Sequence, residues 1–289
     1  NSKIAEALKL SSQPVAVFTS KEIPENAMQF QKGVWGCVIA MMHAVSKGKT
    51  AAFDRETVVC AGGKAGLGIQ KFELGTIEYF LSIGGKGPKK GEFYKKSPDI
   101  ARNYIETMPD IETDEYVIMK PLNELKENET PEIVIFLVNA DQLSGLATLA
   151  NYDQETQDNV KLSFGSGCAQ SVLYGLDAAR NNPTACYIGL TDPSARKCIP
   201  SDLLSFTIPF HRFLEMEECV KAAFFTQIPG RSLQEESKIL PSETEFDLKP
   251  SDQTPRQNIR CQNQPPHEDL PAAAPRKWAI PSGFEALHT

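Results

Sequence analysis

Three cysteines of this 289-residue chain share a local grammar. Cys37 follows Gly36, and Cys60 opens the run Ala61-Gly62-Gly63-Lys64-Ala65-Gly66-Leu67-Gly68. Cys168 stands in Phe164-Gly165-Ser166-Gly167-Cys168-Ala169-Gln170. Glycine lets backbone approach a bulky inorganic group, and N–H groups at a helix start stabilise a thiolate. Thiolate ligands, small neighbours and N–H···S hydrogen bonds are what an iron–sulfur cluster requires. The candidate metal ligands are therefore Cys37, Cys60 and Cys168, and Gly62, Gly63, Gly66 and Gly167 are the candidate cradle for the cofactor. The three are far apart in sequence and no C-x-x-C pair occurs, which excludes the zinc-finger and ferredoxin spacings. Free cysteine is also among the most buried residue types, so the plainer alternative is three small core residues.

The other cysteines carry weaker signals. Cys198, in Arg196-Lys197-Cys198, has basic neighbours and is the candidate for a fourth ligand or an exposed thiol. Cys186 and Cys219 lie on apolar segments and read as core, and Cys261 falls in the C-terminal tail.

A second chemistry competes. The passage from a strand through Gly-Ser-Gly-Cys into a helix is similar to a nucleophile elbow. Cys168 would be the nucleophile, His43 or His211 the base and Asp192 the orienting acid. The match is imperfect, because Ser166 and Gln170 occupy the flanking positions where that motif has glycine. A third reading is a non-catalytic binding module with a structural metal site. Gly62–Gly68 matches neither G-x-G-x-x-G nor a Walker A loop and reads as a tight strand-to-loop turn. The basic stretch from Gly84 to Lys96 reads as a solvated loop, with an anion site as its alternative.

The elements that must position these residues alternate along the chain. Ser2–Leu10 reads as an amphipathic helix, Pro14–Phe18 as a strand, and Gly33–Ser46 as a buried helix stopped at Gly48. Short strands are expected at 50–53 and 56–60, and helices at 75–82 and 97–108, the latter capped by Ser97 with Pro98 next. Strands follow at 116–119 and 132–138; the second is apolar on both faces, as a central strand is. The segments 141–152, 168–181 and 211–225 read as helices, and 160–164, 185–190 and 203–208 as strands. This alternation gives an α/β (or α+β) domain with a mixed sheet and flanking helices.

Composition changes sharply after residue 227. Nine of the 20 prolines but only two of the 19 glycines fall in residues 228–289. Proline at that density removes backbone donors and blocks regular elements, so 228–289 reads as a disordered or foreign tail and residues 1–227 as the domain. A net charge of -7 and a pI near 5.3 argue against a nucleic-acid binder. No apolar run reaches membrane-spanning length, and Asn1–Leu10 has no signal-peptide pattern. The expectation is a cytoplasmic protein with reduced thiols, with neither nucleic acid nor membrane as partner.

In order along the chain come Gln13-Pro14-Val15-Ala16-Val17, Cys37, Cys60-Ala61-Gly62-Gly63 with Gly66-Leu67-Gly68, Glu132–Ala140, Gly167-Cys168-Ala169 and Pro200–Phe213. This order resembles the ArCR family of uncharacterised prokaryotic proteins (domain of unknown function 169), over roughly residues 3–223. The family occurs in anaerobic archaea and bacteria and has no settled activity. The resemblance implies that Cys37, Cys60 and Cys168 are the family's cysteines; the cluster expected from their glycine-rich surroundings has 4Fe–4S as its candidate type. It also implies a further cysteine just after Gly189, where this chain has Leu190 and Thr191. Cys198, Cys186 or a non-cysteine group would then complete the set, or one iron would stay open as a Lewis acid. Substrate, redox partner and oligomeric state are not legible.

Overall fold

A computed structural model describes residues 2–223, apart from 87–89, 112, 114 and 183. The proline-rich segment 228–289 lies outside the described residues, as does Cys261.

The strands follow the periodicity of the sequence. β1 (Val15–Ser20), β2 (Ala51–Phe53), β3 (Tyr116–Pro121), β4 (Ile133–Val138), β5 (Val160–Lys161), β6 (Cys186–Gly189) and β7 (Leu204–Pro209) form one sheet in the order β2-β3-β1-β4-β7-β6-β5. Every pairing is antiparallel except β5 with β6, which makes the sheet mixed. β4 lies at its centre, and all six of its residues are buried. Alternate β4 side chains enter opposite layers: Ile133, Ile135 and Leu137 join one core, Val134, Phe136 and Val138 the other. A period of two makes that division unavoidable once both faces are covered, and each buried aliphatic side chain contributes about 1.5–3 kcal/mol.

The helices divide between the two faces. α1 (Lys3–Ala7), α6 (Ala140–Leu149) and α9 (Phe210–Cys219) pack with the second core. The Glu217 carboxylate of α9 ties α1 down by accepting from Ser2 Oγ at 2.5 Å and from the Lys3 amide at 2.7 Å. α6 opens with a reciprocal capping box: Asn139 Oδ1 accepts from the Gln142 amide at 3.0 Å, and Gln142 Oε1 from the Asn139 amide at 3.1 Å.

The first core is covered by α2 (Val38–Val45), α3 (Ala61–Gly66) and a helix that opens as a π-turn over Ala169–Leu173 and continues as α7 (Tyr174–Asn181). α4 (Ile77–Phe80), α5 (Pro98–Glu106), the four-residue α8 (Pro193–Arg196) and a 3-10 turn at Leu122–Glu124 complete the described helices. All three glycine-flanked cysteines belong to the first layer.

Four local expectations are corrected. The helix expected from Gly33 begins only at Val38, because Gly33 has φ +77° and Gly36 lies where any Cβ would meet the Phe30 ring at 2.3 Å. Residues 56–60 are turn and irregular backbone rather than a strand, and the glycine run after them is the helix α3 rather than a loop. β5 stops at Lys161, so irregular chain separates it from Cys168.

Candidate functional site: a four-cysteine cavity

Cys37, Cys60, Cys168 and Cys198 all line one cavity of about 420 Å³. They reach it from four different segments. Cys37 is the residue before α2 and Cys60 the residue before α3; both have extended backbone and neither side chain accepts a capping hydrogen bond. The capping residues thus offer the first-turn amides no Ser, Thr or Asp oxygen, and sulfur is the adjacent group. Cys168 sits in the first turn of the π/α7 helix and is 7% exposed. Cys198 follows α8 and is half-buried, as Cys37 and Cys60 are.

Two glycines allow this approach. A Cβ at Gly66 would fall 2.4 Å from Cys168 Cβ and 2.6 Å from the Ala169 nitrogen. One at Gly167 would fall 2.6 Å from Ala195 Cβ in α8. Bare backbone at 66 thus brings α3 against Cys168, and bare backbone at 167 brings α8, and with it Cys198, against the same turn. Gly62, Gly63 and Gly167 line the cavity with the thiols. Gly66 serves as packing instead.

The parallel pair β5–β6 sends both its outgoing segments to this side. After β6 the chain turns at Leu190, a fully buried non-glycine residue with φ +62°. Asp192 then caps α8, accepting from the Ser194 amide and hydroxyl at 3.0 Å. Its other oxygen accepts the Gly167 amide at 2.9 Å, which locks the turn carrying Cys168 to the helix leading to Cys198. Gln170 braces the same corner. Its Nε2 donates to the Ser163 carbonyl at 2.9 Å and to Thr191 Oγ1 at 2.7 Å, while its Oε1 accepts the Thr191 amide at 2.9 Å. A π-turn widens a helix locally and recurs at functional sites; here it occupies the segment on which Gln170 sits.

Electrostatics differ from the expected stabilised thiolate. Burial pushes the Cys168 thiol well above its ordinary value, and Cys60, Cys37, Asp192 and Cys198 add to the rise. Cys198 is pushed up to about 11, first by burial and then by Cys37. Without a cation, Cys168 stays protonated at neutral pH, which is the opposite of what a free nucleophile needs. A bound cation reverses the sign, because a coordinating thiol is deprotonated outright.

The remaining candidates separate. Asp192 lines the cavity, but neither histidine does. His43 is half-buried in the last turn of α2, and His211 is exposed on α9 in the other layer, 3.4 Å from Glu215. Cys186 is fully buried in the second core and Cys219 packs against it. Among the described residues, no group of three or more His, Cys, Asp or Glu side chains is arranged to hold a metal ion.

Sequence reading missed the aromatic wall. Phe164, Tyr94 and Tyr104 line the cavity, with Tyr104 edge-on to Phe164 at 5.0 Å and Tyr94 at 6.2 Å. Burial pushes the Tyr94 hydroxyl up to about 12, with Asp192 adding to it. Val34, Trp35, Phe93, Leu162 and Phe164 are exposed, and each either lines the cavity or lies within two residues of a side chain that does. The only sequence signal for this wall was aromatic residues recurring near glycine and lysine at 93–94 and 164.

A family model described as uncharacterised ArCR, the domain of unknown function 169, matches residues 3–219, and the chain belongs to that family. No curated protein and no solved structure matches it. Among the described residues no helix is long and apolar enough to cross a membrane.

Proposed function

We propose that this ArCR-family chain holds an iron–sulfur cluster on Cys37, Cys60, Cys168 and Cys198 and uses it for redox or Lewis-acid chemistry. The supporting observation is that four thiols from four separate segments line one glycine-walled cavity. A polynuclear cluster distributes its thiolates over several irons, and four thiols lining a shared cavity are the ligand type it takes. Cys198 stands in for the cysteine that the family resemblance implies after Gly189. Leu190 fills that position and points into the core, while α8 returns the chain to the cavity eight residues later.

A bound cluster supplies one-electron transfer, or a Lewis acid at any iron left without a thiolate. The chain's own residues hold and shield it. Cys168 forms the buried floor, the backbone of Gly62, Gly63 and Gly167 leaves room beside the sulfurs, and Asp192 keeps the Cys168 and Cys198 segments in register. Lys197 lowers the cost of ionising Cys198. This reading places the protein in the reducing cytoplasm of an anaerobe.

The test is anaerobic purification or reconstitution with iron and sulfide assays and a visible spectrum. About four irons and four sulfides per chain are expected for a 4Fe–4S cluster. A colourless protein without iron after anaerobic reconstitution would overturn the reading.

A further inference from the structure

The cavity presents a second chemistry that holding a cluster does not use. Its wall includes Trp35 and Phe164, which remain 59% and 40% exposed. Ligand pockets are lined mainly by hydrophobic and aromatic side chains with a few placed polar groups, and this cavity has that make-up. Lys95 Nζ covers one face of Phe164 at 3.8 Å, and Tyr94 and Tyr104 hold the ring edge-on, so its orientation is set before any ligand arrives.

The charges at the cavity are unequal in availability. Asp192 is occupied by the Gly167 amide and by the Ser194 amide and hydroxyl. Glu92, on the same wall, is itself engaged. Lys86 and Lys197 have no carboxylate partner among the described residues; Lys86 lies over the Tyr79 ring at 4.3 Å, and Lys197 is the residue after α8. Lys197 lines the same cavity as Tyr94, Tyr104 and Phe164. A ligand would therefore meet flat apolar surface with free positive charge beside it. A volume of about 420 Å³ is near the lower end of the roughly 300–1,000 Å³ typical of ligand pockets, which suits one small ring compound rather than a nucleotide.

We propose that this cavity binds a small aromatic carboxylate, with its ring against Phe164 and its carboxylate at Lys197, beside the four cysteines. The inference rests on the cluster reading for what the ligand meets there, but its binding is testable without it.

The experiment is a ligand-observed NMR titration of the 289-residue chain, with and without anaerobic reconstitution, using sodium benzoate as probe. Benzamide (ring without charge) and acetate (charge without ring) are the controls. Benzoate is expected to bind about tenfold more tightly than either, since ring stacking and a charge-assisted contact each add to affinity. Lys197→Gln should weaken benzoate several-fold and leave benzamide unchanged; Phe164→Leu should weaken both. Both side chains are exposed, so the variants should fold. No saturable benzoate binding, or equal affinity for benzoate and benzamide, overturns the proposal. A chain that assembles the cluster and ignores benzoate overturns this inference alone. One that binds benzoate selectively but takes up no iron upholds it and overturns the cluster reading.

Discussion

The space that a side chain at Gly66 would need is already filled by Cys168, whose Cβ lies 2.4 Å from where a Gly66 Cβ would stand. The neighbouring atoms are backbone, the Ala169 nitrogen at 2.6 Å and the Cys168 carbonyl carbon at 2.7 Å, so no rotamer change relieves the clash. Gly66→Ala should destabilise the domain by about 1–3 kcal/mol, as overpacking does. It should also move Cys168 relative to Cys60. Urea unfolding checks the first effect through a lowered midpoint at unchanged slope, and iron content after reconstitution checks the second.

The ligand assignment separates the six described cysteines by layer. Cys168→Ser and Cys198→Ser should each abolish or cripple cluster assembly, because both side chains line the cavity. Cys219→Ser should leave assembly intact, since Cys219 packs against the opposite core. Iron stoichiometry and the visible spectrum of each variant decide it. Equal loss in all three would show that the ligand set is wrong.

Thiol reactivity in the cluster-free chain should follow burial. Cys37, Cys60 and Cys198 are half-buried, while Cys168 is buried with its thiol held protonated. Iodoacetamide at neutral pH should therefore modify Cys168 after Cys37, Cys60 and Cys198, with the order read by peptide mass mapping. Cys168 labelled first at mildly acidic pH would instead support the nucleophile reading.

The same thiols give the cluster-free chain an alkaline limit. The Cys198 value rises on folding from 9.0 to about 11. A group raised on folding contributes its full stability below the unfolded value and loses it as pH climbs through the folded one. Stability should fall between about pH 9 and pH 11. Cys198→Ala should soften that decline, as a series of unfolding curves against pH would report.

Acid sensitivity should centre on the other layer. Arg212 is fully buried and donates from Nη1 to Asp153 Oδ2 at 2.8 Å and from Nη2 to Asp153 Oδ1. It also reaches Glu215 at 2.8 Å and the Ala150 carbonyl at 3.2 Å. Its hydrogen bonds hold Asp153 down at about 2, from 3.8. A carboxyl lowered on folding contributes stability above its unfolded value and loses it as pH falls through the folded one, so this contribution should disappear between about pH 4 and pH 2. Arg212→Ala should cost about 3 kcal/mol at neutral pH, the lower end for a broken buried pair, because Asp153 is 30% exposed. The variant should also lose that acid-dependent step.

Much of the architecture was legible because it depends on local pattern. The unbroken apolar run of β4 placed a central strand, Ser97-Pro98 marked the start of α5, and glycine beside Cys37, Cys60 and Cys168 singled out three residues that the fold brings to one cavity. The misreadings fell where tertiary contact overrode propensity. Gly62-Gly63-Lys64-Ala65-Gly66 is a poor helix by composition. It is helical in the fold because glycines there let α3 lie against Cys168 and Val38.

By itself, then, the sequence determined the strand periodicity, the burial of both faces of the central strand and the identity of three of the four cavity cysteines. These depend on side-chain type and spacing, which a chain carries whether folded or not. Only the tertiary structure decided the fourth. Cys198 reaches the others through a left-handed turn at Leu190, a cap at Asp192 and a close approach of α8 to Gly167. The separation of His43 and His211 from Cys168 and the aromatic wall beside the thiols were likewise settled by packing between distant segments. Such contacts have no period and no motif, so they exist only once the layers have closed.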